Sequence, residues 1–68
     1  MTKKDYILIA RAMYEIKPEP EYNPHYTVEI ETWTSAVGNL MVHLKNDNAR
    51  FDSERFIIAC ERGPKVSV

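Results

Sequence analysis

The chain has 68 residues with 9 basic and 10 acidic side chains, which gives a net charge of −1. This length allows one domain with a small core, and the near-neutral charge gives no overall electrostatic reason to expect nucleic-acid or membrane binding. A single cysteine, Cys60, excludes an intrachain disulfide and a cysteine-based zinc cluster, and so favours a reducing, cytosolic setting. No stretch approaches the ~20 apolar residues that span a bilayer.

The first predicted element is a helix over about residues 3–17. Thr2 followed by Asp5 matches the S/T-x-x-acid capping pattern. Lys17 precedes Pro18, and because a residue before proline avoids the helical conformation, the helix is predicted to end there. A connector with the sequence PEPEYN follows over residues 18–23. Apolar residues recur at helical spacing along this helix and predict its buried face; they are Tyr6, Ile9, Ala10, Met13 and Ile16.

The central segment fits two patterns. Residues 26–31 alternate between apolar and polar side chains, as a strand does. The same segment also opens a longer helical stripe, for which Asn23 is a suitable cap and Pro24 a suitable first residue. We therefore predict one long helix over about residues 24–47, with an extended arm and a helix starting near Thr32 as the alternative. The stripe consists of Tyr26, Ile30, Trp33, Val37, Leu40 and Leu44.

The third predicted element is a helix over about residues 53–62. Asp52 is a suitable cap, and Phe51 and Phe56 then occupy the two positions of a hydrophobic staple. Gly63 predicts a left-handed C-cap. Because Pro64 lacks an N–H, the two-bond Schellman ending cannot form, and we expect the simpler ending with a single hydrogen bond from the Gly63 N–H. Residues 64–68 form a C-terminal tail, in which KVSV is the one segment that could pair with a central strand.

These elements predict an all-α fold of three helices with a long central helix. The predicted core is formed by Ile9, Met13, Trp33, Leu40, Leu44, Phe51 and Phe56. Cys60 lies on the same helical face as Phe56, which favours a buried thiol over a nucleophile. His43, at the edge of the central stripe, is predicted to be a partly buried structural histidine.

No motif for catalysis, metal binding or cofactor binding is visible. The histidines, Cys60 and the carboxylates do not follow H-x-x-x-H, C-x-x-C or H-E-x-x-H spacing, and the two glycines form no phosphate loop. We therefore expect a non-enzyme with no catalytic residue, no metal and no cofactor.

Two surfaces are candidates for partner binding. The acidic, tyrosine-containing segment EPEYNPHYTVEIE suits a basic protein partner, and the outer face of the third helix is the second candidate. Leu8, Val28, Val42 and Ile58 fall opposite the buried stripes and are expected to be exposed. The candidate residues are Glu19, Glu21, Tyr22, Tyr26, Glu29 and Glu31 in the segment, and Arg55, Ile58 and Arg62 on the third helix.

The pair of helices around NDNARF also has the outline of a helix-turn-helix. Local positive charge is supplied there by Arg50, Arg55, Arg62 and Lys65, but the acidic residues Asp52, Glu54 and Glu61 are interleaved with the arginines. A phosphate-tracking surface is normally free of such acids. Nucleic-acid binding is therefore possible but not favoured.

Both ends of the chain resemble a group of short phage and prophage proteins of unknown function. The similar segments are KKDYILIA, residues 3–10, and DNARFDSERFIIAC, residues 47–60, which together cover about a third of the chain. Ala49 stands where the group has proline, and Glu61 stands where it has glycine. The resemblance implies a protein made in the cytoplasm of an infected bacterium, and it supplies no catalytic residue.

The leading expectation is a small phage-encoded protein that binds and modulates or inhibits a host bacterial protein, such as transcription or CRISPR machinery. The alternatives are a small nucleic-acid-associated regulator and a self-assembling structural module. The sequence leaves the oligomeric state open.

Overall fold

The computed structural model describes residues 1–64, and this part of the chain folds into three helices without any strand. Helix α1 spans Lys3–Glu15, α2 spans Tyr26–Asp47 and α3 spans Ser53–Arg62. The predicted all-α fold with a long central helix is confirmed. The C-terminal KVSV segment lies outside the described residues.

Helix α1 begins with the predicted capping box. The backbone N–H of Thr2 donates to Asp5 Oδ2 at 2.9 Å, and the backbone N–H of Asp5 donates to Thr2 Oγ1 at 3.4 Å. The hydrogen bond from the Thr2 backbone N–H, and after it that from the Thr2 side chain, favours the charged carboxylate and lowers the pKa of Asp5. Two of the backbone donors at the start of the helix are thus satisfied by neighbouring side chains.

The end of α1 differs from the prediction in length and in the fate of Ile16. The helix ends at Glu15, and the backbone N–H of Lys17 bonds the carbonyl of Tyr14 at 3.2 Å in a tighter turn. The chain leaves the helix ahead of Pro18, so Ile16 no longer continues the buried face and is 68% exposed. The prediction that Ile16 joins the core face is therefore wrong. Ala10 is buried, and Tyr6, Ile9 and Met13 are half-buried against the core.

Helix α2 begins at Tyr26, two residues later than predicted. The N-cap position is His25 rather than Asn23, and Asn23 Oδ1 accepts from the backbone N–H of His25 at 3.0 Å in the turn that precedes the helix. Its carbonyl accepts from the N–H of Tyr26 at 3.2 Å, and the helix follows. Residues 26–31 are helical, so the alternative of an extended arm is wrong.

The predicted stripe of α2 faces the core along the whole helix. Trp33, Val37 and Leu44 are buried, while Tyr26, Ile30 and Leu40 are half-buried. His43 is exposed, which contradicts the prediction of a partly buried histidine. One residue turns a helix by about 100°, and this carries His43 away from Leu44 to the outer side of α2.

Helix α3 starts and ends as a capped helix. The Asp52 carboxylate accepts from the N–H of Arg55 at 3.1 Å, and the rings of Phe51 and Phe56 lie 5.4 Å apart, which confirms the cap and the staple. At the other end, the N–H of Gly63 donates to the carbonyl of Ala59 at 2.9 Å, as the single-bond ending requires. Gly63 has the expected positive φ of 89°, but its ψ of 136° lies outside the left-handed helical region.

All three helices contribute to the core, and α1 and α3, the first and last helices, pack against each other most extensively. Cys60 is fully buried beside them, as predicted. Among the predicted core residues, Trp33, Leu44, Phe51 and Phe56 are buried, and Ile9, Met13 and Leu40 are half-buried around them. Tyr6 packs its ring 4.8 Å from that of Phe51 and extends this core towards the start of α1.

Trp33 joins α2 to the end of α1. Its indole Nε1 donates to the carbonyl of Met13 at 2.8 Å, and this carbonyl belongs to the last turn of α1, where it has no partner within the helix. The Lys17 ammonium lies 5.6 Å from the centre of the Trp33 ring and also donates to the carbonyl of Glu61 at 3.2 Å. Lys17 and Trp33 thus hold one end of all three helices together.

Candidate interaction surface

The connector between α1 and α2 exposes a tyrosine and carries several acids. Tyr22 is fully exposed and has a positive φ of 56°, which is uncommon for a residue other than glycine. The side chain of Asn23 donates to the carbonyl of Glu19 at 3.1 Å and to Glu29 Oε1 at 2.8 Å. Hydrogen bonds of Asn23 therefore attach the connector to the first turn of α2.

The same end of the molecule is strongly acidic. Residues 15–31 contain five glutamates and one lysine, which gives a net charge of −4 with His25 neutral. All five glutamates are exposed. We call this region the acidic end; its glutamates are Glu15, Glu19, Glu21, Glu29 and Glu31. The only lysine in it, Lys17, is already engaged by Glu61 and Trp33.

A shallow apolar groove lies beside the acidic end. It has a volume of about 450 Å³ and is bounded on one side by the residues that follow α1 and on the other by the first half of α2. Ile16 and Val28 are its exposed large apolar residues, at 68% and 67%. We call it the α1–α2 groove; its lining comprises Ile16, Pro18, Val28, Glu29, Thr32, Trp33 and Ala36.

The structure brings together only part of the predicted acidic surface. Glu29 lines the groove, and Asn23 links it to the backbone of Glu19. Glu31 follows Glu29 by two residues and so points about 200° away from it around α2. Tyr26 is half-buried on the core side of the helix. Glu21 is exposed in the connector next to Tyr22.

The three candidates on α3 lie on a different surface. Arg55, Ile58 and Arg62 are all exposed, and none of them lines the α1–α2 groove. Arg55 Nε lies 3.6 Å from Asp52 Oδ2, an exposed pair on the first turn of the helix. Ile58 is 48% exposed, and Leu8, Val28 and Val42 are exposed as predicted. The candidate residues predicted from the sequence therefore lie on two separate surfaces.

The nucleophilic and metal-binding side chains do not assemble into a site within residues 1–64. Burial, with a smaller contribution from the charge of Glu61, raises the pKa of the Cys60 thiol to about 11. His25 and His43 are both exposed and stand on opposite ends of α2, 18 residues or about 27 Å of helix apart. No three His, Cys, Asp or Glu side chains in this part of the chain are grouped to hold a metal ion.

Sequence reasoning missed the groove. It assigned Ile16 to the core and treated Val28 as one of several isolated exposed residues. Two signals were present: the Lys17–Pro18 break follows Ile16 directly, and Val28 falls outside the buried stripe of α2. Neither signal says that the two residues lie across one groove, because this depends on how the connector folds.

Comparisons with known proteins give no relatives. No family model, no curated protein and no solved structure matches the chain. The resemblance to phage proteins therefore rests on its two sequence segments alone. In the described part of the chain, no helix combines the length and apolar character that crossing a membrane requires.

Proposed function

We propose that the chain is a small, phage-encoded, non-enzymatic protein that binds a host bacterial protein and modulates or inhibits it. The activity belongs to host takeover or anti-defence and takes place in the cytoplasm of the infected bacterium. The phage-like segments at residues 3–10 and 47–60 support the origin, and the arrangement of the acidic end supports binding as the mode of action.

The observation that carries the proposal is the acidic end with its exposed tyrosine. A net charge of −4 over residues 15–31 steers a basic protein surface towards the connector, because complementary charge raises association rates. Tyr22 stands fully exposed in the middle of this charge, and tyrosine is among the residues enriched at binding hot spots. An aromatic anchor surrounded by carboxylates suits a partner rich in lysine and arginine.

The chemistry of the reactive groups agrees with this proposal. Cys60 is buried and its raised pKa keeps the thiol neutral at physiological pH, which makes it a poor nucleophile. Neither histidine shares a site with it, since both are exposed on α2 or its start, whereas Cys60 lies in the core.

The proposal is tested by affinity capture of the tagged chain from the bacterial host, with quantitative mass spectrometry. Wild type is compared with Glu19→Gln/Glu21→Gln/Tyr22→Ser at the acidic end and with Arg55→Gln/Arg62→Gln on α3. We expect a host protein that the wild type and the α3 variant retain equally. Loss of two charges and the aromatic anchor should weaken its capture by about tenfold or more.

Three outcomes contradict the proposal. Capture of no host protein above the untagged control removes its basis. Equal capture by all three chains, or loss only in the α3 variant, excludes the acidic end as the binding surface. Loss of the captured protein after nuclease treatment, together with a salt-dependent shift of duplex DNA by the chain, supports the nucleic-acid alternative instead.

A further inference from the structure

We propose that the α1–α2 groove is the docking site for a short basic segment of the partner that presents one or two large apolar side chains. This assignment rests on the function proposed above and adds the surface that is used and the chemistry of the segment that occupies it.

The groove offers an apolar lining with a rigid wall. Ile16 and Val28 keep about two thirds of their surface exposed, so an apolar side chain placed between them removes a large area from water. Trp33 forms the wall, and it is fixed in place by its hydrogen bond to the Met13 carbonyl and by Lys17 above its ring. A wall that is already ordered costs little to organise when a segment binds.

The rim of the groove selects for positive charge. Glu29 lines it, and Asn23 holds the Glu29 carboxylate at 2.8 Å. Glu15 and Glu19 are the sequence neighbours of the lining residues Ile16 and Pro18. The local base, Lys17, points its ammonium at the backbone carbonyl of Glu61, and the region keeps a net charge of −4 with this positive charge included. An apolar floor with an acidic rim matches a segment in which lysines or arginines flank the apolar anchors.

The length of the groove limits the segment and its affinity. Val28 and Ala36 are eight residues apart on α2, so the groove extends for about 12 Å, or two helical turns. A contact of this length buries less than the ~1,200 Å² of a standard interface, so the docking is expected to be weak and reversible on its own.

A second copy of the chain is a competing occupant. The start of α1 exposes Met1 and Leu8 at 54% and 53%, next to Lys3 and Lys4. Asp5 lies in the same stretch and reduces its positive charge, which makes it a poorer fit than a segment without acids. If this stretch entered the groove of a neighbour, the contact would be head-to-tail and produce a growing chain of molecules.

Binding is tested with synthetic peptides and the fluorescence of Trp33, the only tryptophan of the chain. The probe peptide places two leucines one helical turn apart between lysines, and the control peptides are a scrambled order and a version with glutamates replacing the lysines. Val28→Lys introduces a repelling charge in the groove. Val42→Lys makes the same change on an exposed valine of the same helix outside the groove, and serves as the matched control.

We expect the probe peptide to change Trp33 emission and to bind at least about tenfold more weakly to Val28→Lys, because one buried valine contact accounts for roughly this factor. Val42→Lys should change binding by about twofold or less, since a distant exposed charge is screened by salt. The glutamate peptide should not bind. Equal weakening by both lysine variants, or equal binding of the scrambled peptide, overturns the groove assignment.

These results separate the groove from the proposed function. If the tagged chain captures a host protein through Glu19, Glu21 and Tyr22 while Val28→Lys leaves that capture unchanged, the function stands and the groove assignment fails. If light scattering shows a mass that grows with concentration and falls to a monomer in Val28→Lys, the occupant is a second copy and the foreign segment is excluded.

Discussion

Replacing Trp33 with phenylalanine tests whether one side chain joins α2 to the end of α1. The indole N–H donates to the carbonyl of Met13 at 2.8 Å, in the last turn of α1. Phenylalanine leaves that partly buried carbonyl without a partner, which costs about 1–2 kcal/mol. The smaller ring also leaves unfilled space and weakens the contact with Lys17, for a further cost of about 1 kcal/mol.

The expected loss of about 2–3 kcal/mol is large for this chain. A domain of 68 residues is expected to have a free energy of unfolding of about 3–10 kcal/mol. Trp33→Phe should therefore lower the melting temperature by about 10–20 °C, measured by far-UV circular dichroism.

Two controls divide this effect into its parts. Benzothienylalanine at position 33 keeps the shape of the indole but lacks the N–H, and should cost about half as much as phenylalanine. Tyr22→Phe alters an aromatic residue that is fully exposed and should leave the melting temperature unchanged. A drop of less than about 4 °C for Trp33→Phe would refute the role assigned to the hydrogen bond and the ring.

Other substitutions give sharp expectations for stability by chemical denaturation. Gly38→Ala should stabilise α2 by about 0.5–1 kcal/mol, since an added Cβ meets no atom within 4 Å. Gly63→Ala should instead destabilise the protein by about 1–3 kcal/mol, because its φ is +89° and its Cβ would lie 3.2 Å from the Tyr14 ring. Equal effects of the two substitutions would contradict this difference. Asp52→Ala should cost about 1 kcal/mol while Asp52→Asn, which can also cap, should cost far less. The thiol pKa of Cys60 is raised from 9.0 to about 11 on folding, so its contribution to stability is complete below pH 9 and is lost between pH 9 and 11, by about 2–3 kcal/mol. Cys60→Ala should lack this part of the pH dependence, and an identical alkaline slope in both chains would show that the thiol is not the cause.

The fold could be predicted wherever short-range chemistry decides it. The capping pair of Thr2 and Asp5, the cap at Asp52 and the staple of Phe51 and Phe56 all act within a few residues, and each formed as predicted. The buried stripe of α2 was also correct, because its spacing repeats over the whole helix. Helix α2 ends at Asp47 although residue 49 is alanine, so the helix stops without the proline that the resembling phage proteins have at this position.

The errors arise where a residue has two possible local roles. Asn23 was assigned as the helix cap, but α2 begins at Tyr26, and the Asn23 side chain accepts from the N–H of His25 in the turn before it. Ile16 fitted the spacing of α1, although the helix ends one residue before it. His43 stood next to the stripe, and one step around the helix placed it in solvent.

The candidate groove could not be predicted for a different physical reason. Its two sides come from residues separated by the whole connector, and the path of that connector depends on the turn at Tyr22 and the bonds of Asn23. The acidity of the region is a property of composition and was visible from the start. That these acids lie beside Ile16 and Val28 depends on how the chain folds and could not be predicted.

The close packing of α1 against α3 has a consequence for how the protein is made. The two helices in most extensive contact are the first and the last, and they are separated by the 22 residues of α2 and two connections. The contact between α1 and α3 forms only after both helices have been synthesised, so we expect the growing chain to have no stable partial fold on the ribosome. We expect folding to be complete only after Arg62 has emerged, and a chain that stops at Asp47 should be readily cleaved by proteases.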